Sequence, residues 1–342
     1  MAQNAETKGM MLLRIQSIGM CRPGMRLAKN IYNEDGRVLL GKHMELTEQL
    51  LRRLKQLGIQ MVYIEDALTD DVIVEELLSD ETRIKALTGL KVQFRKIMED
   101  TGRKGVIQHN QLGKSMRDIQ TMIIDDLSRN EQAMIMLMNM NAADHYLYHH
   151  SLNVCIYTTM LGLAHGYSRD ELMVLGVGSL LHDVGKTKIP EQLLKKPGSL
   201  SSEEFEEVKK HAEYGFQILK DEPNISLLSA HCAYQHHERL NGSGYPRGIK
   251  DNEIHEYAKL IGLVDSYDAM ISHRVYRSAL LPHQAMEIMY GGAGTLYDKY
   301  QIELFRDKVA IYPLGITVTL NTGESGVVVD LNSTFAHRPI VR

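Results

Sequence analysis

Nine of the fifteen histidines fall between His145 and His237, in stretches whose periodicity otherwise calls for apolar or surface residues. A lone histidine on an apolar face is usually a hydrogen-bonded core residue, with a prior of roughly 10% for metal ligation. The joint pattern changes that. His182 and Asp183 adjoin at the end of an apolar stretch of helical period, where an imidazole and a carboxylate can turn toward one buried point. A buried carboxylate without a partner is strongly unfavourable, so Asp183 calls for a cation. His236 and His237 form a second adjacent pair at the end of another such stretch. With His150, His211 and Asp265 the set offers five imidazoles and two carboxylates, enough to hold two metal ions with one carboxylate bridging them. Mixed nitrogen and oxygen donors without thiolate disfavour structural zinc and suit two divalent transition-metal ions, iron or manganese, with open water positions. Two such ions about 3.5–4 Å apart can generate a bridging hydroxide and neutralise a phosphodiester at once. Phosphoester hydrolysis is the implied chemistry.

Other candidates read as packing or surface residues. His231 stands five residues before His236, off the ligand face, and His145 and His149 flank His150 at helical angles that point elsewhere. The methionine-rich run from Ala133 to Met140 reads as core filling, by roughly 10 to 1 over a cofactor box.

The spacing also carries a resemblance. H-D-V-G-K at His182 to Lys186, H-x-x-x-G at His211 to Gly215, and H-H-E-R-L-N-G-S-G-Y-P at His236 to Pro246 resemble the HD-GYP family of the HD metal-dependent phosphohydrolase superfamily. The resemblance covers roughly residues 130 to 305, and it implies metal ligation by His150, His182, Asp183, His211, His236, His237 and Asp265, with Asp183 as the bridge. It makes Lys186 and Asp183 the catalytic pair, with Lys186 facing the phosphate and assisting the leaving group. Gly244, Tyr245 and Pro246 would form the loop beside the substrate, where glycine allows close approach and tyrosine offers a stacking face. Arg274 and Arg277, which follow the segment Asp265 to Met270, would grip substrate phosphates through bidentate contacts. The activity so implied is hydrolysis of cyclic di-GMP to pGpG, with further cleavage to GMP left open. Two alternatives stand beside it: hydrolysis of another cyclic dinucleotide, because a metal cluster does not read bases, and a non-catalytic cyclic di-GMP receptor. The intact ligand set favours the enzyme. The chain departs from the family pattern at Asn241, where aspartate is common, and at Tyr146, where members that bind three metals carry a glutamate.

The elements that must position these residues are legible as well. Leu12 to Asp66 reads as short β-like runs broken by turn residues, with Asn33 to Gly36 as a hairpin turn and Thr47 opening an amphipathic helix. Ser168 to Glu171 and Ser201 to Glu204 are helix start signals, and a further helix is expected from Leu227 to Glu238. The expected fold is mainly α: a small α+β N-terminal module at residues 1–66, a helical connector at 67–129, a helical HD-type metal-binding domain at 130–305 and a short β tail at 306–342. Apolar residues make up 44% of the 342 residues and charged residues 24%, which suits a folded chain with a sizeable core. The net charge of -4 offers no field for a nucleic-acid polymer, though a local basic pocket for a small anion remains open. Three scattered cysteines indicate a reducing compartment, and no apolar run approaches the ~20 residues of a membrane helix, so a cytoplasmic protein is expected, free of membrane partners. A homodimer stays open.

Overall fold

The computed structural model describes residues 13–33, 35–66, 69, 77–99, 111–129, 146–272, 279–332, 335 and 337–342. It is mainly helical, with strands near both ends of the chain. The methionine run, His145, Arg274 and Arg277 lie outside the described residues.

Near the N-terminus β1 (Arg14–Ser17) pairs antiparallel with β4 (Met61–Ile64), Arg14 opposite Ile64. Between them β2 (Ile31–Tyr32) and β3 (Val38–Leu40) form the expected hairpin. α1 (Glu48–Gln56) starts where the Thr47 side chain accepts from the Leu50 amide. Its buried Leu51 and Leu54 pack with Ile18, Leu27, Ile31, Leu46 and Val62 into a small separate core. The C-terminal strands β5 (Thr317–Thr319), β6 (Ser325–Asp330) and β7 (Ile340–Val341) form an antiparallel sheet in that order. This sheet closes on the first module: the Ile15 amide donates to the Gly315 carbonyl at 2.8 Å, and Leu13, Ile15 and Tyr63 bury against Leu314 and Val328.

The helical body is one continuous core. α2 (Asp80–Glu99) and α3 (Leu112–Ser128) pack with α4 (Tyr146–His165) and α5 (Arg169–Leu181) through Leu90, Phe94, Met116, Ile123, Leu161 and Leu175. Each large apolar side chain fully buried in this way contributes about 1.5–3 kcal/mol. α4 and α5 are buried along most of their length, as helices surrounded by others must be. α5 begins at a capping box in which Ser168 and Glu171 satisfy each other's backbone amides. A 3-10 turn, Val184–Lys188, and the short α6 (Glu191–Leu194) follow, and a second capping box at Ser201 starts α7 (Ser202–Lys209). α8 (His211–Leu219), α9 (Leu227–Gln235), α10 (Glu256–Ile271), α11 (Pro282–Gly291) and α12 (Lys299–Lys308) complete the body. No helix among the described residues is long and apolar enough to cross a membrane.

Candidate metal centre

The histidines expected to act together do converge, and they arrive from helix ends. His182 is the residue that ends α5, His236 ends α9, and His211 opens α8 directly after α7. In each case the ring Nδ1 donates to a backbone carbonyl three residues earlier: His182 to Ser179 at 2.7 Å, His211 to Val208 at 2.7 Å, His236 to Ala233 at 2.9 Å. Fixing the proton on Nδ1 leaves the Nε2 lone pair aimed inward, as a metal-binding imidazole requires. His150, on α4, reaches the same arrangement through a carboxylate, with Nδ1 at 2.7 Å from Asp268 Oδ2.

Asp183 is fully buried at the middle, and its two oxygens face different rings. Oδ1 lies 3.4 Å from His211 Nε2 and 3.8 Å from His236 Nε2, whereas Oδ2 lies 3.4 Å from His182 Nε2 and 3.7 Å from His150 Nε2. Two donor groups result, Asp183 with His211, His236 and His237, and Asp183 with His150 and His182, sharing only this carboxylate. Asp265, on α10, joins from the far side, with Oδ1 3.0 Å from His150 Nε2 and 4.0 Å from His182 Nε2, and Oδ2 3.8 Å from His237 Nδ1. All seven expected ligands therefore face one small volume.

Three observations test whether divalent cations fit there. His182 Nε2 and Asp183 Oδ1 are buried without a hydrogen-bond partner, an arrangement that is costly unless something charged meets them. His211 Nε2 and His236 Nε2 lie 3.4 Å apart, although each ring already carries its proton on Nδ1, so two lone pairs confront each other with room for a cation between their axes. The donors are imidazole and carboxylate with no thiolate, a set suited to first-row divalent ions. The cluster fits divalent metal.

Electrostatics agree. Burial pushes the pKa of His211 down to about 4 and those of His236 and His237 well below the usual imidazole range, which keeps these rings neutral and able to donate lone pairs. Burial alone would raise Asp183, but Lys186 and then His182 and His211 hold it well below the carboxylate range. Asp265 behaves alike: burial alone would raise it, and the hydrogen bond from His150 brings it well down. His150 is the exception, since burial lowers it but Asp265 and Asp268 lift it to about 9.

Around this centre the motif residues serve packing and access. Lys186 forms an ion pair with Asp183 Oδ2 and remains partly exposed. Gly185 is required by close approach: a Cβ there would sit 1.9 Å from the His211 carbonyl oxygen. Gly244 is likewise pressed against its own motif, with a Cβ 2.4 Å from Glu238 Cα and the His237 carbonyl oxygen. The Tyr245 ring stacks on His237, centroids 4.5 Å apart, and covers the outer side of the cluster with Pro246 exposed beside it. Asn241 Oδ1 accepts from the Ser243 amide, a local turn contact well suited to asparagine. His231 packs on Phe216, outside the cluster.

Sequence reasoning missed three supporting residues. Asp268 accepts from His150 Nδ1, from Asn153 Nδ2 at 3.0 Å and from Ser272 Oγ at 3.2 Å. Glu238, buried, accepts from the amides of Arg247 and Ile249 and so pins the loop that carries Tyr245. Arg239 donates to the His236 carbonyl at 3.0 Å and to Ser266 Oγ at 3.2 Å, tying the end of α9 to α10. Asp268 had a readable signal, being one turn after Asp265 on the same helix face.

Comparison with known proteins agrees with this architecture. A family model described as HD domain matches residues 129–300. Cyclic di-GMP phosphodiesterase PA4108 of Pseudomonas aeruginosa is 33% identical over 226 residues, covering 64% of this chain and 54% of that protein. The 3'3'-cGAMP-specific phosphodiesterase 3 of Vibrio cholerae is 35% identical over 158 residues, covering 46% of this chain and 34% of that protein. This chain thus spans about half or less of the length of these relatives. The solved structure of Bd1817, described as a HDG"Y"P protein from Bdellovibrio bacteriovorus, aligns with a TM-score of 0.50 at 17% identity, covering 86% of this chain and 98% of that one, a likeness of fold.

Proposed function

The chain belongs to the HD domain family, and from that premise we propose that it is a metal-dependent phosphodiesterase that hydrolyses cyclic di-GMP to pGpG in the bacterial cytoplasm. The observation that carries this reading is the division of the Asp183 carboxylate between two sets of imidazoles. One ion would be held by Asp183, His211, His236 and His237, and a second by Asp183, His150, His182 and Asp265. Two divalent cations there, iron or manganese in our assignment, would supply Lewis acidity toward the phosphodiester and toward water.

The chain's own groups do the rest. Asp268 and the three helix-end carbonyls keep His150, His182, His211 and His236 oriented inward, so that the centre needs no reorganisation when substrate arrives. Lys186 stands at the exposed side of Asp183, where its ammonium can meet a phosphate oxygen and deliver a proton from Nζ to the departing oxygen. The Tyr245 ring, stacked on His237, flanks one side of the cluster. Arg274 and Arg277, assigned from the motif, would neutralise the substrate's phosphates. We take residues 130–305 as the catalytic part.

The test is anaerobic purification, elemental analysis for transition metals, and chromatography of products from cyclic di-GMP and from 3'3'-cGAMP. Two ions per chain and pGpG as product are expected. A metal-loaded protein that binds cyclic di-GMP without releasing product is a receptor and overturns the proposal. Faster cleavage of 3'3'-cGAMP, the substrate named for one relative, reassigns the substrate while keeping the reaction.

A further inference from the structure

We propose that Phe205, Tyr245 and Lys209 form the subsite that takes a guanine base of the dinucleotide, an inference that rests on reading the buried cluster as a cyclic-dinucleotide phosphodiesterase centre. Phe205 lies on α7, a helix with no buried residue, and is 46% exposed as a residue, whereas Phe94 and Phe305 are fully buried. One exposed aromatic ring is ordinary. Its position is what matters here.

The Phe205 centroid lies 6.2 Å from that of Tyr245, with the rings nearly perpendicular, and Tyr245 in turn stacks on His237 at 4.5 Å. The three rings run as a ladder from the candidate metal centre to solvent. One helical turn after Phe205, Lys209 places Nζ 5.2 Å from the Phe205 centroid and 5.7 Å from that of Tyr245. Glu206 Oε1, 2.5 Å from Nζ, holds the ammonium over this corner. An apolar face, a second ring at right angles and a donor-only cation thus meet at the mouth of the cluster.

A nucleobase is the part of the substrate that suits such a corner. Every base presents a π-face that stacks on an aromatic side chain. Guanine also presents two acceptors, O6 and N7, on one edge, where adenine presents one acceptor and one donor. An ammonium, which can only donate, favours the guanine edge. The metal cluster cannot distinguish bases, so the residues at its rim must, and Lys209 supplies a donor of the required sign.

The experiment uses the full chain loaded with manganese and compares wild type with Phe205→Ala, Phe205→Trp and Lys209→Met. Calorimetry gives Kd for GMP, AMP and inorganic phosphate, and initial rates give KM for cyclic di-GMP. Phe205→Ala is expected to weaken GMP roughly 5- to 100-fold with phosphate affinity and metal content unchanged, and Phe205→Trp to retain GMP binding. Lys209→Met is expected to reduce the preference for GMP over AMP. If wild type cleaves cyclic di-GMP and Phe205→Ala matches its KM and its GMP affinity, the subsite falls while the phosphodiesterase reading stands. If Phe205→Ala loses GMP affinity in a protein that releases no product, the subsite stands and the reading of the reaction falls. Absence of GMP binding by wild type also overturns the subsite.

Discussion

Replacing Asp268 by alanine is a severe test of how the centre is held, because Asp268 is not itself an expected ligand. Its Oδ2 lies 2.7 Å from His150 Nδ1 and 3.2 Å from Ser272 Oγ, and its Oδ1 is 3.0 Å from Asn153 Nδ2, all within the buried seam between α4 and α10. Hydrogen bonds to a charged group are worth about 1.5–3 kcal/mol each, but the three share one carboxylate whose own desolvation the substitution relieves. The net loss should resemble the breaking of a buried charged pair, about 3–5 kcal/mol. At about 2–4 °C per kcal/mol for a body of this size, Tm should fall by roughly 6–20 °C. Loss of the group that orients His150 should also weaken metal binding about 10- to 100-fold. Asp268→Asn separates the two effects: it preserves volume and one acceptor, so Tm should fall less than in Asp268→Ala while metal affinity still drops. Thermal unfolding by circular dichroism and competition for manganese against a chelator measure both quantities. If Asp268→Ala unfolds within about 2 °C of wild type and competes for metal equally well, the orienting role assigned to Asp268 is wrong.

Other perturbations address separate parts of the site. Asp183→Ala should lose metal and turnover together, since among the described residues Asp183 is the member common to both donor groups; elemental analysis and pGpG chromatography report each, and a variant retaining both would remove the centre of the argument. Gly185→Ala would place a Cβ 1.9 Å from the His211 carbonyl oxygen and 2.5 Å from the Gly215 nitrogen, both rigid backbone of α8, so a loss of about 1–3 kcal/mol or more is expected in denaturant unfolding. Arg274→Ala and Arg277→Ala should raise KM for cyclic di-GMP with metal content unchanged, which steady-state kinetics would contradict if KM stayed at the wild-type value. Tyr146 stands one turn before His150 at the start of α4, where a third ion would call for an anionic ligand, and tyrosine brings no carboxylate to that position. Two ions per chain and accumulation of pGpG ahead of GMP are therefore expected, and three tightly held ions would count against the argument.

What could be read in the sequence was whatever depends on near neighbours. The hairpin at Asn33 to Gly36, the Thr47 cap and the capping boxes at Ser168 and Ser201 all appear because each is settled within four residues. The helix expected from Leu227 to Glu238 instead ends at Gln235, where the Glu238 amide turns back to the Gln235 carbonyl at 2.8 Å, a bond three residues back that closes the last turn. The role of Asp268 was hidden for the opposite reason: its partner His150 is 118 residues away, and only the packing of α4 on α10 brings them together. The closing of the C-terminal sheet on β1 is of the same kind, since Ile15 and Gly315 meet only after the whole body has folded.

Between these extremes lies a rule for the ligands themselves. A helix leaves its last carbonyls without intrahelical donors. A histidine placed just past the end can satisfy one of them through Nδ1, as His182, His211 and His236 do with the carbonyls three residues before them. The same hydrogen bond fixes the tautomer and turns Nε2 away from the helix, toward whatever the end of the helix faces. In this fold the ends of α5, α7 and α9 face the carboxylate of Asp183, so a local capping interaction, legible one helix at a time, delivers three lone pairs to one buried point.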